Sequence, residues 1–305
     1  MNLLLTGAFK YSKEQLDSIQ DLGYDITFVL DERASLSEVK PDFDVAFVDA
    51  VVCNGLFLYN DITQFKNLKF IQLTSAGMDR VPLDYIKEHG IQLFNARGVY
   101  SIPMAEWAVL KILEIYKRSR QFYKSHEEKQ WVKNRDLLEL TGKTASIVGF
   151  GSVGTEIAKR LKAFGVNILG VDLYSVKSDY ADEAYLINDI EVVLSKSDIV
   201  ILSLPLTKQT HHLIDKDKLA AMKENIVLIN VSRGGVIDEG VLIEALEDGK
   251  FLGIALDVFE QEPLPEDSQL WNSEKVIITP HNSFVSDRVN DRLFELMLRN
   301  LKGCL

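Results

Sequence analysis

Gly149, Gly151 and Gly154 lie in the run Ser-Ile-Val-Gly-Phe-Gly-Ser-Val-Gly, whose spacing suits the holding of a pyrophosphate. The first glycine allows a tight turn, the second lets the backbone approach the anion, and the third lets helix and strand pack closely. Val153, Ile157, Ala158, Leu161 and Phe164 recur at helical spacing until Gly165 stops them. The turn therefore opens a helix whose free N–H groups and positive dipole end face the anion. A second apolar run ends in Asp172. A carboxylate at that distance accepts hydrogen bonds from ribose hydroxyls and repels a 2′-phosphate. Strand, turn, helix, strand and terminal acid together predict a dinucleotide site that takes NAD rather than NADP, with Lys177 on the same loop a cation able to offset the acid. Three further polar residues stand at the ends of predicted strands: Arg233, Glu262 and His281. Singly, each has a plain reading: a surface cation, a loop carboxylate and a histidine capping a strand.

What must position these residues is a series of short apolar runs alternating with helical patterns. Before residue 100, strands are predicted at 2–6, 25–30, 44–48, 69–74 and 91–95. Ser12 and Gln15 form a predicted capping box for a helix that turns Leu16, Ile19 and Leu22 inward until Gly23 ends it. The stretch Leu73-Thr-Ser-Ala-Gly-Met-Asp79 follows such a strand, at the sheet edge where ligands bind; its plain reading is a turn that needs Gly77. From Pro103 a helical pattern carries Ala105, Trp107, Ala108, Leu110, Leu113 and Ile115, then becomes polar through residues 118–139. Such a helix can join two domains, which places a boundary near residues 97–102. Glu106 is expected to be satisfied by backbone donors, His126 to lie on a solvated face and Trp131 to anchor its stretch. Further strands are predicted at 198–205, 225–231, 252–258 and 276–279, with Asp215 or Asp217 and then Asp238 capping helices. A last helix is predicted over 287–301. Alternating strands and helices imply parallel sheets covered on both faces.

Composition narrows the function classes. The 305 residues are 47% hydrophobic and carry a net charge of −11, which argues against a nucleic-acid or anionic-membrane partner, since both need a basic footprint. No apolar run reaches spanning length, and Met-Asn-Leu-Leu-Leu-Thr at the start reads as a strand, not a signal peptide. Cys53 and Cys304, far apart and in no metal spacing, suit the reducing cytoplasm. His211 and His212 are adjacent, so on regular structure their rings diverge, and no His-Glu-x-x-His is present; no metal is expected.

Arg233 stands in Asn-Val-Ser-Arg-Gly-Gly, Glu262 in Leu-Asp-Val-Phe-Glu-Gln-Glu-Pro-Leu-Pro and His281 in Thr-Pro-His-Asn, in that order after the dinucleotide turn. With these four motifs the chain resembles, over almost its whole length, the D-isomer-specific 2-hydroxyacid dehydrogenase family. The resemblance implies an α/β fold of two doubly wound parallel-sheet domains around a cleft. A Rossmann-type NAD-binding domain would span residues 101–284, and a smaller flavodoxin-like substrate domain residues 1–100 and 285–305. Members are usually dimers through the cofactor domain, so a homodimer is expected.

Carried over by position, the resemblance makes Arg233 the residue that holds the substrate carboxylate and polarises its carbonyl, His281 the general acid/base, and Glu262 the acid bonded to the imidazole. The chemistry agrees: a 2-oxo acid is an anion beside a carbonyl, a planar guanidinium can bind both, and the alkoxide formed by hydride transfer needs a proton. A carboxylate beside the imidazole favours its protonated form. The resemblance also implies a carboxylate grip by the backbone at Ala76 and Gly77. It further implies cofactor contacts from Ser152, Val153, Asp172, Pro205, Thr210, Val231, Ser232, Arg233, Asp257, His281 and Ser283, beside Gly149, Gly151 and Gly154. Tyr100, Ser101 and Met104 are candidates for lining the pocket. After His281 the chain reads Asn-Ser-Phe-Val-Ser where many relatives have a small, glycine-containing run. The expected activity is the NAD-dependent interconversion of a 2-oxo acid and a D-2-hydroxy acid. The rival reading, from a different class, is an NAD-sensing binding protein like the transcriptional corepressors that resemble this family.

Overall fold

The computed structural model describes residues 1–40 and 42–304, and it divides into two compact units, Met1–Tyr100 with Ser286–Leu305 and Ser101–Val285. The first unit is built on five strands: β1 (Asn2–Thr6), β2 (Asp25–Val29), β3 (Ala50–Cys53), β4 (Phe70–Leu73) and β5 (Gln92–Phe94). All pair in parallel, in the order β2-β1-β3-β4-β5. Side chains alternate across a strand, so a sheet covered on both faces needs apolar residues at every position of its central strands. Leu4, Val51, Cys53, Ile71 and Leu73 pack on one face, while Leu3, Leu5, Ala50, Val52 and Phe70 pack on the other. The helix Val289–Gly303 closes the second face with Val289, Leu293, Met297 and Leu301, and the Tyr24 hydroxyl donates to the Leu301 carbonyl at 2.8 Å.

The second unit is a seven-stranded parallel sheet of β6 (Thr144–Val148), β7 (Asn167–Asp172), β8 (Glu183–Leu186), β9 (Ile199–Leu202), β10 (Ile226–Asn230), β11 (Phe251–Leu256) and β12 (Val276–Ile278). Its order is β12-β11-β10-β9-β6-β7-β8, which reverses direction between β6 and β9. Ile147, Ile199, Ile201, Val227 and Ile229 face one core with Ile157 and Leu161 of the helix Ser152–Ala163. Val148, Val200, Leu202, Leu228 and Ile254 face the other. Both units are thus doubly wound α/β sheets.

Local signals placed several elements. Ser12 makes the capping box, accepting from the Gln15 amide while the Gln15 side chain accepts from the Ser12 amide. Asp215 and Asp238 cap the helices Lys216–Ala221 and Glu239–Glu247. The strand expected at 44–48 is instead a single 3-10 turn at Val45–Phe47, because the Asp44 carboxylate accepts from the Ala46 amide at 2.9 Å and curls the chain. The strand is β3, five residues later, where Ala-Val-Val-Cys is buried throughout. Strand β8 lies at the sheet's edge with mostly exposed side chains, and its mixed sequence carries no apolar run. Glu106 is not satisfied by backbone donors: it is exposed and pairs with Arg160 at 3.4 Å. Trp131 anchors nothing, being 95% exposed in an irregular stretch beyond the helix Ser119–Glu127.

Candidate active site

Within the second unit, the parallel register brings the carboxyl ends of β6, β7, β9, β10, β11 and β12 to one edge of the sheet. Every residue singled out beyond Lys143 follows one of those ends. Gly149 turns at φ +96°, and a Cβ there would lie 2.6 Å from the Leu204 amide nitrogen. At Gly154 a Cβ would lie 2.2 Å from the Gly149 carbonyl oxygen, so that glycine is needed where the helix meets the turn. Gly151 differs: its φ is −78°, which any residue adopts, and a Cβ would meet no protein atom within 4 Å. Two of the three glycines thus serve the fold, and the third leaves the backbone bare at the start of the helix Ser152–Ala163. That is the surface an anion at a helix N-terminus needs. Asp172 ends β7 with one carboxylate oxygen on the Phe150 amide at 2.7 Å, which holds the acid against the glycine turn. These residues fit a dinucleotide.

The remaining expected contacts mostly brace their own loops. Thr210 is buried and donates to the Pro205 carbonyl at 2.7 Å, while Pro205 itself is exposed. Ser232, buried like Val231, donates through its hydroxyl to Asn230 at 2.7 Å. The Asp257 carboxylate is buried and accepts from the Thr279 hydroxyl at 2.5 Å, the Asn282 amide at 2.8 Å and the Ser283 amide at 3.0 Å. The His281 amide adds a bond to the Asp257 carbonyl at 2.8 Å. One buried acid at the end of β11 therefore fixes the turn after β12, and His281 sits on that turn with φ +50°.

His281 Nδ1 lies 2.8 Å from one oxygen of Glu262, whose other oxygen accepts from the Phe259 amide at 3.1 Å. A carboxylate facing Nδ1 favours the tautomer with the proton on Nδ1 and leaves Nε2 outside that contact. Both side chains are partly exposed, as a pair serving a small molecule must be. Arg233 follows β10 half-buried, with one guanidinium nitrogen donating to the Ser232 carbonyl at 2.8 Å. Its loop is pressed against the Glu262 loop: a Cβ at Gly234 would fall 1.8 Å from the Phe259 carbonyl carbon. The edge thus carries a guanidinium on one loop and an imidazole–carboxylate pair on the neighbouring ones.

Ala76 and Gly77 belong to the first unit, in the loop after β4. The carbonyls of this loop are taken up within the chain, Thr74 by the Tyr100 hydroxyl, Ser75 by the Ala96 amide, Ala76 by the Asn95 side chain and Gly77 by the Ser75 hydroxyl. Among the described residues, the amides of Ala76 and Gly77 have no such partner. With its carbonyls tied back, the loop keeps two successive amides without a partner among the described residues.

His211 and His212 do not diverge. Their rings stack with centroids 3.9 Å apart, because His212 takes a left-handed backbone, φ +50°, that regular structure does not offer. Sequence spacing assigned this pair no role. No group of three or more His, Cys, Asp or Glu side chains suited to a metal occurs among the described residues, and no helix there is long and apolar enough to cross a membrane.

Comparison with known proteins bears on the family and the fold. Residues 109–283 match the model of the D-isomer specific 2-hydroxyacid dehydrogenase, NAD binding domain. A glyoxylate reductase of Thermofilum pendens is 38% identical over 248 residues, 78% of this chain and 72% of that protein. A hydroxypyruvate reductase of Thermotoga maritima is 35% identical, covering 82% of this chain and 81% of that protein. Matching D-3-phosphoglycerate dehydrogenases are longer, and the alignments cover 41% to 52% of their length. The crystal structure of D-lactate dehydrogenase from Aquifex aeolicus, complexed with NAD and lactic acid, superposes with a TM-score of 0.80 at 26% identity, covering 99% of this chain and 95% of that one. The chain therefore belongs to the D-isomer specific 2-hydroxyacid dehydrogenase family and carries its NAD(P)-binding Rossmann domain, and the family supports 2-hydroxyacid oxidoreductase activity.

Proposed function

We propose that the protein interconverts a small 2-oxo acid and the corresponding D-2-hydroxy acid, with NAD(H) as the cofactor and His281 as the general acid/base. The observation that carries this reading is the His281 Nδ1 to Glu262 contact of 2.8 Å, next to the Arg233 loop on adjacent parallel strands. Bound NADH would supply a hydride to the carbonyl carbon. Arg233 binds the substrate carboxylate and draws charge onto the carbonyl oxygen. His281, held by Glu262, gives that oxygen its proton from Nε2 in reduction and takes it back in oxidation. In the first unit, Ala76 and Gly77 are assigned to carboxylate binding on the strength of their outward amides.

For the cofactor, Gly149, Gly151, Ser152, Val153 and Gly154 would hold the pyrophosphate, with Asp172 toward the ribose. Pro205, Thr210, Val231, Ser232, Asp257 and Ser283 would shape the walls around the nicotinamide. The negative charge of Asp172 favours NAD over NADP. Glyoxylate and hydroxypyruvate head the substrate candidates, because two relatives matched over more than two thirds of both chains are reductases of those acids. Two copies are proposed to pair through the second unit in the cytoplasm; the bare Trp131 indole and the exposed Tyr123 and Val132 support such a contact.

The test is a screen of glyoxylate, hydroxypyruvate, pyruvate, 2-ketoisocaproate and phenylpyruvate against NADH and NADPH, following cofactor absorbance, with light scattering for the mass in solution. Turnover of at least one acid with NADH preferred is expected. Tight NADH binding with no turnover would overturn the reading in favour of a sensor.

A further inference from the structure

Beside the candidate site, in the second unit, three loops meet at one imidazole. His212 Nε2 lies 2.7 Å from a carboxylate oxygen of Glu260, two residues before Glu262, and Nδ1 lies 3.8 Å from a carboxylate oxygen of Asp238, at the end of the Arg233 loop. The His212 amide also donates to the Gly235 carbonyl at 2.8 Å. Between the two outer loops, the Glu260 amide donates to a Glu239 carboxylate oxygen at 3.3 Å, and the Glu239 amide donates to a Glu260 carboxylate oxygen at 3.4 Å. Three carboxylates, Asp238, Glu239 and Glu260, thus crowd the seam between the Arg233 and Glu262 loops. Burial pushes the Glu239 carboxyl above its ordinary range, and the charge of Glu260 pushes it the same way. His212 and the stacked His211 are the titratable groups facing them from the third loop.

The backbone gives a second, independent sign. His212 holds φ +50°, a left-handed conformation that persists where the surroundings impose it. A glycine or asparagine would take the same turn with less strain. The turn places the ring against Glu260 and Asp238.

We propose that His212 is a positioning residue for the reaction assigned above, a brace that bonds Glu260 through its ring and Gly235 through its amide and so holds the Glu262 loop in register with the Arg233 loop. The idea rests on the proposed dehydrogenase reading, and it deepens that reading by naming what aligns its two halves. His212 and both carboxylates are more than a third exposed, and ion pairs at such sites add little to stability. The effect belongs in geometry, where an error of about 1 Å can cost on the order of a hundredfold in rate.

The test uses H212N, E260Q and the double variant in the full-length protein. H212N keeps a residue that tolerates the left-handed turn but cannot reach Glu260. Its kcat for 2-oxo acid reduction should fall about tenfold with little change in melting temperature. Amide exchange across residues 257–262, measured without substrate, should quicken. E260Q alone should stay near wild type, because glutamine still accepts from the imidazole and from the Glu239 amide. The double variant should recover several-fold in kcat over H212N, since the crowded charge is gone; a merely structural loss would not be rescued this way. Unchanged kcat in H212N, or no recovery in the double variant, overturns the brace. If the wild type itself turns over no 2-oxo acid, the dehydrogenase reading fails instead, and the exchange result alone decides whether His212 holds the loops.

Discussion

Gly151→Ala separates the fold's demand for glycine from a ligand's. At Gly151 the added methyl meets no protein atom within 4 Å and the backbone, φ −78° and ψ −154°, suits alanine. Two small terms act on stability. Fewer unfolded conformations favour alanine by about 0.4–1 kcal/mol, and its poorer fit at a helix N-cap costs about as much. The melting temperature should therefore move by no more than about 2–4 °C. A pyrophosphate lying on the bare backbone would collide with the methyl, and overpacking of about 1–3 kcal/mol weakens NADH binding roughly 5- to 150-fold. Gly149→Ala and Gly154→Ala are the contrast. The first forces alanine to φ +96° against the Leu204 backbone, and the second puts a Cβ 2.2 Å from the Gly149 oxygen. Each should lower the melting temperature well beyond the Gly151 variant. Differential scanning fluorimetry and NADH titration of the three variants provide the assay. NADH affinity of Gly151→Ala within about twofold of wild type would refute the placement of the pyrophosphate.

Arg233→Lys keeps the charge and loses the planar fork, so kcat/KM for the 2-oxo acid should fall at least about tenfold while the NADH Kd stays nearly constant; full activity would mean that the carboxylate is held elsewhere. His281→Ala should cost about 10²- to 10⁴-fold in kcat, and Glu262→Gln about tenfold, the worth of one charge-assisted hydrogen bond, with NADH binding intact in both. Steady-state kinetics beside NADH titration check these, and an unaffected Glu262→Gln would remove that residue from the mechanism. Asp198 tests pH linkage. Burial works against its ionisation but is outweighed by the Thr144 amide and the Lys223 ammonium, each at 2.9 Å, so its carboxyl sits below the usual range. The folded form thus binds the proton less tightly than the unfolded one, and the stabilisation is present at neutral pH and lost as pH falls through the carboxylate range. Asp198→Asn should lower stability by about 1 kcal/mol at pH 7, with the gap narrowing in thermal melts as pH is lowered below about 4.

Much of this protein was legible in the residue order because the signals are local. A glycine turn before Val153 and Ile157, an acid ending the next run, and caps at Ser12, Asp215 and Asp238 each act within a few residues of themselves, so spacing alone carries them. The order of motifs around Arg233, Glu262 and His281 carried the family in the same way. Apolar runs failed as signals where a nearby cap or tertiary packing competes with them. Asp44 turned an apolar stretch into a 3-10 turn, and β3 settled between β1 and β4, where both faces are buried. Glu106 met Arg160 fifty-four residues away, a pairing that no local pattern contains. The candidate site followed the same division. Residue types named Glu262 and His281, but the buried Asp257 carboxylate that fixes the histidine's turn, the close approach at Gly234, and the imidazole of His212 set between the Glu260 and Asp238 carboxylates exist only once β10, β11 and β12 stand side by side. Sequence determined which groups could do chemistry. Tertiary structure decided which of them touch, because parallel strands bring together loops that the chain separates by twenty to fifty residues.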